Sequence, residues 1–248
     1  MIDVTFDFTS ELDGYWDGFL DRDPICGMSS IDPDTRSKTL KEYHRILWSK
    51  KLPNGEVMEL ISRKAPYYLT WKDFCFGSDT IIVGFRYNRY KHIISQVNDM
   101  QADYKAYWES ILRRAYTIGG TILFPVHRSS MNQRKGMSRK ISDRWDLTLE
   151  CIRRYYHGKE SPLSSVIETD RKFYDLFVDF KGYVDYFFLQ DAVSDDYSTV
   201  KIWEGKGDFT EDGLPKTVDD YLGFMDKEFE FLKKRNKRIS EYAIANGL

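Results

Sequence analysis

An amphipathic pattern over residues 141–157 constrains the fold of this 248-residue chain more than any other feature. Its apolar side chains recur at spacings of three and four, which brings them into one narrow sector of a helix at about 100° per residue. They are Ile141, Trp145, Leu149, Ile152 and Tyr156. The pattern predicts a helix over 141–157 with one face anchored in the core.

A second row of side chains lies on the same predicted helix, about 120° from the middle of the apolar face. It consists of Asp146, Glu150, Arg153 and His157, at spacings of four, three and four. Side chains at the edge of a buried face can line a cleft, so Asp146, Glu150 and His157 are candidate catalytic residues for acid–base chemistry. The alternative is a helix-surface ion pair of Glu150 with Arg153 or Arg154, worth roughly 0.2–0.5 kcal/mol.

The segment before this helix is strongly basic. Residues 127–140 contain no acid and five Lys or Arg side chains: Arg128, Arg134, Lys135, Arg139 and Lys140. Planar guanidinium groups bind phosphate and carboxylate groups through paired hydrogen bonds. The expected ligand-binding residues are Arg128, Asn132, Gln133, Arg134, Arg139, Arg144 and Arg153. The alternatives are a solvated basic loop and amides that cap a helix end.

The overall charge argues against a protein that coats nucleic acid, because the formal net charge is −2 and such proteins are normally basic. The acids are unevenly placed: residues 1–35 contain nine, against the single base Arg22. This acidic segment could pack against residues 127–140, which is a further alternative to ligand binding. At 42% hydrophobic and 31% charged, the composition is that of a globular protein.

The cysteines and the hydropathy pattern predict a cytoplasmic protein. Cys26, Cys75 and Cys151 are far apart and form no CxxC pair, so neither a disulfide framework nor a zinc site is expected. The first ten residues do not resemble a signal peptide, and no apolar run approaches ~18 residues. We therefore expect no membrane contact.

The secondary-structure pattern predicts a single α+β domain over residues 1–248, in which a small antiparallel sheet of the N-terminal half packs against a helical half from about 141. An acidic loop is expected at 9–34 and an Asn-Gly turn at 52–56. Strands are expected at 3–8, 57–63, 67–74, 79–85 and 121–126. Helices are expected at 35–48, 90–116 and 141–157, in an aromatic pair over 169–193, and from Thr217 onward, where Thr217 and Asp220 have N-cap spacing.

No short motif names a cofactor. The chain contains no GxGxxG, GxxxxGK[ST] or GxSxG sequence, and its histidines show no zinc-ligand spacing, so no metal ligand is expected and the cofactor stays unknown. His44 lies beside an apolar face and is expected to be structural.

Three blocks of the sequence resemble a family of uncharacterised bacterial proteins, a domain of unknown function. They are TLKEYHRILWSKKLPNG at 39–55, MNQRKGMSRKISDRWDLTLECIRRYYHGKESPL at 131–163 and FKGYVDYFFLQD at 180–191. The resemblance implies a bacterial cytoplasmic protein and carries no activity.

The leading hypothesis is a cleft lined by residues 127–157 that binds or acts on a phosphate-bearing ligand, such as a nucleotide or a nucleic-acid end. One alternative is a non-catalytic protein-interaction module, and another is an enzyme that acts on a small carboxylated metabolite. The sequence leaves open the reaction, the substrate, metal dependence, the oligomeric state and whether the protein is an enzyme.

Overall fold

A four-stranded antiparallel sheet occupies the N-terminal half of the chain in the order β1-β2-β3-β4. Its strands are β1 (Ile61–Ser62), β2 (Leu69–Trp71), β3 (Phe74–Thr80) and β4 (Thr121–Pro125). The described residues of this computed structural model are 1–13, 15, 32–63, 68–82, 90–127 and 130–248.

A two-residue turn at 72–73 sets the register of β2 and β3, where Trp71 pairs with Phe74. Lys72 takes part in this turn with φ 49°, so the single strand predicted at 67–74 is wrong. β3 ends at Thr80, which pairs with Thr121; of the strand predicted at 79–85, residues 81 and 82 are not in a strand and residues 83–85 lie outside the described residues. All of β4 is buried, although the strand order places it at an edge of the sheet.

The helices dominate the rest of the chain, and the predicted α+β class is confirmed. They are α1 (Pro33–Arg36), α2 (Lys38–Trp48), α3 (Lys91–Asp99), α4 (Tyr104–Ala115), α5 (Met131–Met137), α6 (Trp145–Tyr156), α7 (Ser164–Thr169), α8 (Arg171–Tyr174), α9 (Phe180–Tyr186) and α10 (Val218–Ala245). No described helix combines the length and apolar character that a membrane crossing requires.

Side-chain caps divide helices that the periodicity predicted as continuous. The predicted helix 35–48 is split because Ser37 accepts from the backbone N–H of Leu40 and begins α2. The predicted helix 90–116 is split because Asp103 caps α4. The predicted strand 3–8 is wrong, since Asp7 caps a 3-10 turn at Phe8–Glu11. Most of the predicted acidic loop 9–34 lies outside the described residues.

Two differences concern the predicted site. Residues 127–140 are not only a loop, since they contain α5. α6 begins at Trp145 and not at residue 141, because Ser142 and Asp143 have positive φ values of 51° and 63°, which do not occur in a right-handed α-helix. Asp143 is then tied back to α5 through its backbone N–H, which donates to the Lys135 carbonyl at 3.0 Å.

The C-terminal helix α10 spans 28 residues and confirms the predicted start, because Thr217 and Asp220 form a reciprocal capping box. Its buried Arg235 joins distant parts of the fold by donating to the carbonyls of Gly119, Thr121 and Phe187. Around this contact the core is aromatic, and the predicted core rings are all buried: Phe173, Phe177, Phe180, Tyr183 and Phe187.

Candidate functional site

Asp146, a predicted catalytic residue, lies fully buried at the start of α6. Arg144 binds both of its carboxylate oxygens, and the backbone N–H of Trp203 donates to Oδ2 at 2.8 Å. Arg144 also donates to the carbonyls of Glu204 and Gly213. The Arg144–Asp146 pair therefore anchors the segment 203–213 on α6.

Glu150 and Arg153 form a second pair one turn along α6. Arg153 donates to both carboxylate oxygens of Glu150 at 2.7 and 2.8 Å, and Arg154 donates to Oε1 at 2.9 Å. The two guanidinium groups also reach the carbonyls of Ser198 and Gly207. Glu150 is buried, so its charge faces two arginines and not solvent.

The other predicted residues are dispersed. His157 is exposed at the end of α6, where Nδ1 lies 2.8 Å from the Arg153 carbonyl. Arg139 is exposed and pairs with Asp212, whereas Gln133 and Arg134 are exposed on α5. Arg128 lies outside the described residues. The structure therefore brings Arg144 to Asp146 and Arg153 to Glu150 but does not gather the predicted set around one cavity.

A different group of polar residues comes together on the inner side of α5, and we call it the carboxylate cluster: Asp32, Asp34, Asp79, Asp143 and Lys135. Lys135 is only 3% exposed. Its Nζ lies 3.1 Å from Asp79 Oδ2 and donates to Asp143 Oδ1. A buried lysine thus links β3 to the turn before α6.

Among the described residues, two hydroxyl groups and no cation hold the Asp34 carboxylate. Asp34 follows Pro33 in the first turn of α1, where Asp32 caps its backbone N–H. Ser78 Oγ donates to Oδ1 at 2.5 Å and Thr80 Oγ1 donates to Oδ2 at 2.7 Å. Ser78 and Thr80 are two apart on β3 and share a face, whereas Asp79 between them turns toward Lys135.

His44 extends this hydrogen-bond chain into the core. An indole N–H can only donate, so the 2.8 Å bond from Trp48 Nε1 to His44 Nδ1 leaves the ring proton on Nε2. Nε2 then donates to Ser78 Oγ at 3.1 Å, and Ser78 donates to Asp34. Burial, and then the charge of Arg235, lowers the pKa of His44 to about 3, so the ring stays neutral.

In the carboxylate cluster, the pKa values of Asp34 and Asp79 are raised toward neutral pH. Burial, and then the charges of Asp32 and Asp79, raises the pKa of Asp34 to about 7. Burial also raises the pKa of Asp79 to about 6, with Lys135 opposing and Asp143 adding to the rise. Carboxyl groups in this range exchange protons readily at physiological pH.

Asn132 borders the cluster from α5. Its amide nitrogen donates to the Ser78 carbonyl at 3.2 Å, while its buried Oδ1 has no hydrogen-bond partner among the residues that the structure describes. A buried acceptor without a partner is unusual and marks a place where a donor group could bind. No group of three or more His, Cys, Asp or Glu side chains in the described ranges is arranged to hold a metal ion.

Sequence reasoning missed this cluster because its members are far apart in the chain. Asp32 and Asp34 belonged to a general acidic segment, Lys135 to a basic one, and Asp79 to a strand. No local spacing connects them. His44 was expected to be structural, and both of its ring nitrogens are indeed hydrogen-bonded in the core.

Comparison with known proteins gives a family but no activity. Residues 2–239 match the model of a family of unknown function, DUF6994, which confirms the resemblance to an uncharacterised family. No curated protein and no solved structure matches the chain.

Proposed function

We propose that this chain, which belongs to the DUF6994 family of unknown function, is an enzyme that uses Asp34 as a general acid–base group. The proposal places proton transfer at the carboxylate cluster, where α1, β3 and α5 meet. Asp34 exchanges the proton with the substrate, and the Lys135–Asp79 pair fixes the neighbouring charge.

The observation that carries the proposal is the contrast between two aspartates. Asp146 meets a guanidinium group that neutralises it, which is how a structural carboxylate is normally satisfied. Asp34 instead meets two hydroxyls, with the charges of Asp32 and Asp79 nearby. These neutral donors hold its orientation, and they lower its pKa by less than burial and the two neighbouring charges raise it, which suits an acid–base group.

The charge of the cluster limits the substrate class. Among the described residues the cluster contains four carboxyl groups and one lysine, which contacts Asp79 and Asp143, so a phosphate or carboxylate group placed there would be repelled. A neutral or cationic substrate is therefore favoured, and a donor group on it could reach the unpartnered Oδ1 of Asn132.

The experiment compares the wild type with Asp34→Asn and with a matched control, Asp226→Asn, at an exposed position of α10. Pools of neutral and cationic metabolites are incubated with each protein, and turnover is followed by mass spectrometry. We expect the wild type and the control to act alike and Asp34→Asn to lose about 10²–10⁴-fold in rate. Equal rates in all three would overturn the proposal.

A second measurement decides the proposal even before a substrate is known. Carboxyl ¹³C chemical shifts, assigned by comparison with Asp34→Asn, report the titration of Asp34 directly. We expect its midpoint near pH 7. A midpoint near the ordinary value of about 4 removes the basis of the assignment.

The phosphate-bearing ligand predicted for residues 127–157 stays a separate prediction. Arg144, Arg153 and Arg139 each pair with a carboxylate, so little net positive charge is left to attract phosphate. A thermal-shift screen with nucleotides tests it, because a ligand that binds the folded state raises the melting temperature. A rise that Arg153→Ala abolishes would favour this ligand, whereas no rise leaves two alternatives, the protein-interaction module and an enzyme that acts on a small carboxylated metabolite.

A further inference from the structure

Lys50 lies just after α2, in a box of aromatic rings that contains none of the residues of the carboxylate cluster. Its Nζ is 4.0 Å from the ring centre of Phe188, 4.6 Å from Tyr186, 4.8 Å from Tyr242 and 5.0 Å from Trp48. It donates one hydrogen bond, to the Tyr186 carbonyl at 2.7 Å. Four aromatic rings therefore surround this amine, in contrast to the water that surrounds a surface lysine.

No carboxylate among the described residues lies within ion-pair distance of Lys50. Asp185, which lines the same side of the molecule, is paired with Lys181. Burial, and then the charge of Arg235, lowers the pKa of Lys50 to about 7, while the ring faces oppose part of this effect. A substantial share of the amine is therefore unprotonated at neutral pH.

The amine borders a groove of about 580 Å³ that is open to solvent. Most of its accessible wall is apolar and includes Leu52, Pro53, Phe188 and Tyr242. Besides Lys50, its charged lining residues are two lysines and two aspartates: Lys51, Lys181, Asp179 and Asp185. Since these four charges balance, the groove suits a small uncharged electrophile and offers no net attraction to offset the cost of desolvating an anionic one.

We propose that Lys50 is a covalent binding site for small apolar aldehydes, which it holds as an imine. Nζ attacks the carbonyl carbon to form a C–N bond, and a proton moves from nitrogen to oxygen to give a carbinolamine. The C–O bond then breaks and water leaves, so no oxidant or reductant is needed. Protonation gives an iminium cation, which the surrounding ring faces stabilise.

The test uses the full-length wild-type protein with butanal and cyanoborohydride, which reduces an iminium to a stable butyl amine. Peptide mass spectrometry then compares Lys50 with Lys51, an exposed neighbour that serves as an internal control. Because burial and the charge of Arg235 leave a substantial share of Lys50 unprotonated at pH 7, we expect it to be labelled at least about tenfold faster. Labelling of Lys50 no faster than that of Lys51 overturns the proposal.

The pH dependence and the choice of aldehyde sharpen the test. Imine formation at Lys50 is expected to level off above about pH 7, where most of the amine is already unprotonated. Glyoxylate, which carries a negative charge, is expected to label Lys50 less than butanal does. Equal labelling by both aldehydes would contradict the role of the apolar groove. Neither readout depends on Asp34, so the inference is independent of the proposed acid–base activity.

Discussion

At the scale of single residues, this protein buries carboxylates in two chemically different ways. Asp146 faces a guanidinium group, and Asp34 faces hydroxyl groups. The guanidinium group of Arg144 pairs with the Asp146 carboxylate, whereas Asp34 is near its protonation midpoint at neutral pH. Each arrangement leads to a measurable difference in stability.

For Asp34 the difference depends on pH. Its pKa is raised from 3.8 to about 7 on folding. Between these two pH values, the folded state therefore keeps a proton on Asp34 that the unfolded state has released. Its stabilising contribution is complete below about pH 4 and is lost as the pH rises through about 7. Relative to Asp34→Asn, the wild type should lose at least about 1 kcal/mol of unfolding free energy between pH 4.5 and 7.5.

Urea unfolding of both proteins across this range measures that difference. The comparison with the variant is needed because His44, whose pKa is lowered, contributes with the opposite sign: its stabilisation is present above about 6.5 and is lost as the pH falls toward 3. A wild-type-to-variant difference that stays constant with pH contradicts the assignment.

For Asp146 the expected effect is a loss of stability. Asp146→Asn leaves Arg144 buried without its counter-charge, which typically costs about 3–5 kcal/mol. The matched control is Glu42→Gln, which breaks an exposed pair with Arg45 and should cost at most about 1 kcal/mol. Chemical denaturation distinguishes the two, and equal small losses would mean that the Arg144–Asp146 pair does not anchor segment 203–213.

At the scale of elements, local signals in the sequence predicted those features that depend on neighbours in the chain. The periodicity over residues 141–157 predicted α6 except for its start, and the Thr217–Asp220 spacing predicted the start of α10. Breaks set by single side chains or by positive φ were missed, as at Ser37 and Ser142. The carboxylate cluster could not be predicted, because it depends on which elements meet in space.

The capping box of α10 gives a test at this scale. Thr217→Ala removes the side-chain acceptor for the backbone N–H of Asp220, and loss of such a cap costs about 1 kcal/mol. Thr210→Ala, in an exposed turn, is the control and should have a smaller effect on the melting temperature. Equal shifts in the two variants would show that the capping box adds nothing beyond an ordinary surface hydroxyl.

At the scale of the whole molecule, Arg235 connects parts that the sequence places far apart. Its three carbonyl acceptors lie before β4, at the start of β4 and after α9, so one side chain of α10 joins the sheet to the aromatic core. Its charge also lowers the pKa values of His44 and Lys50. The α+β class followed from local patterns, but this long-range contact did not, because Arg235 stands in the basic run 233–238, which is typical of a solvated helix face.

This position of Arg235 makes a prediction that spans the molecule. Arg235→Met removes a buried cation and three donated hydrogen bonds, so we expect a loss of stability together with a rise in the pKa of Lys50. Burial remains the larger cause of the lowered pKa, so the shift should be partial. Imine formation between Lys50 and butanal should then level off at a higher pH than in the wild type. Circular dichroism confirms that the variant is folded before labelling, and Arg235→Gln, which retains two donors, replaces it if it is not. An unchanged Lys50 profile in a folded variant would show that the charge of Arg235 does not reach the aromatic box.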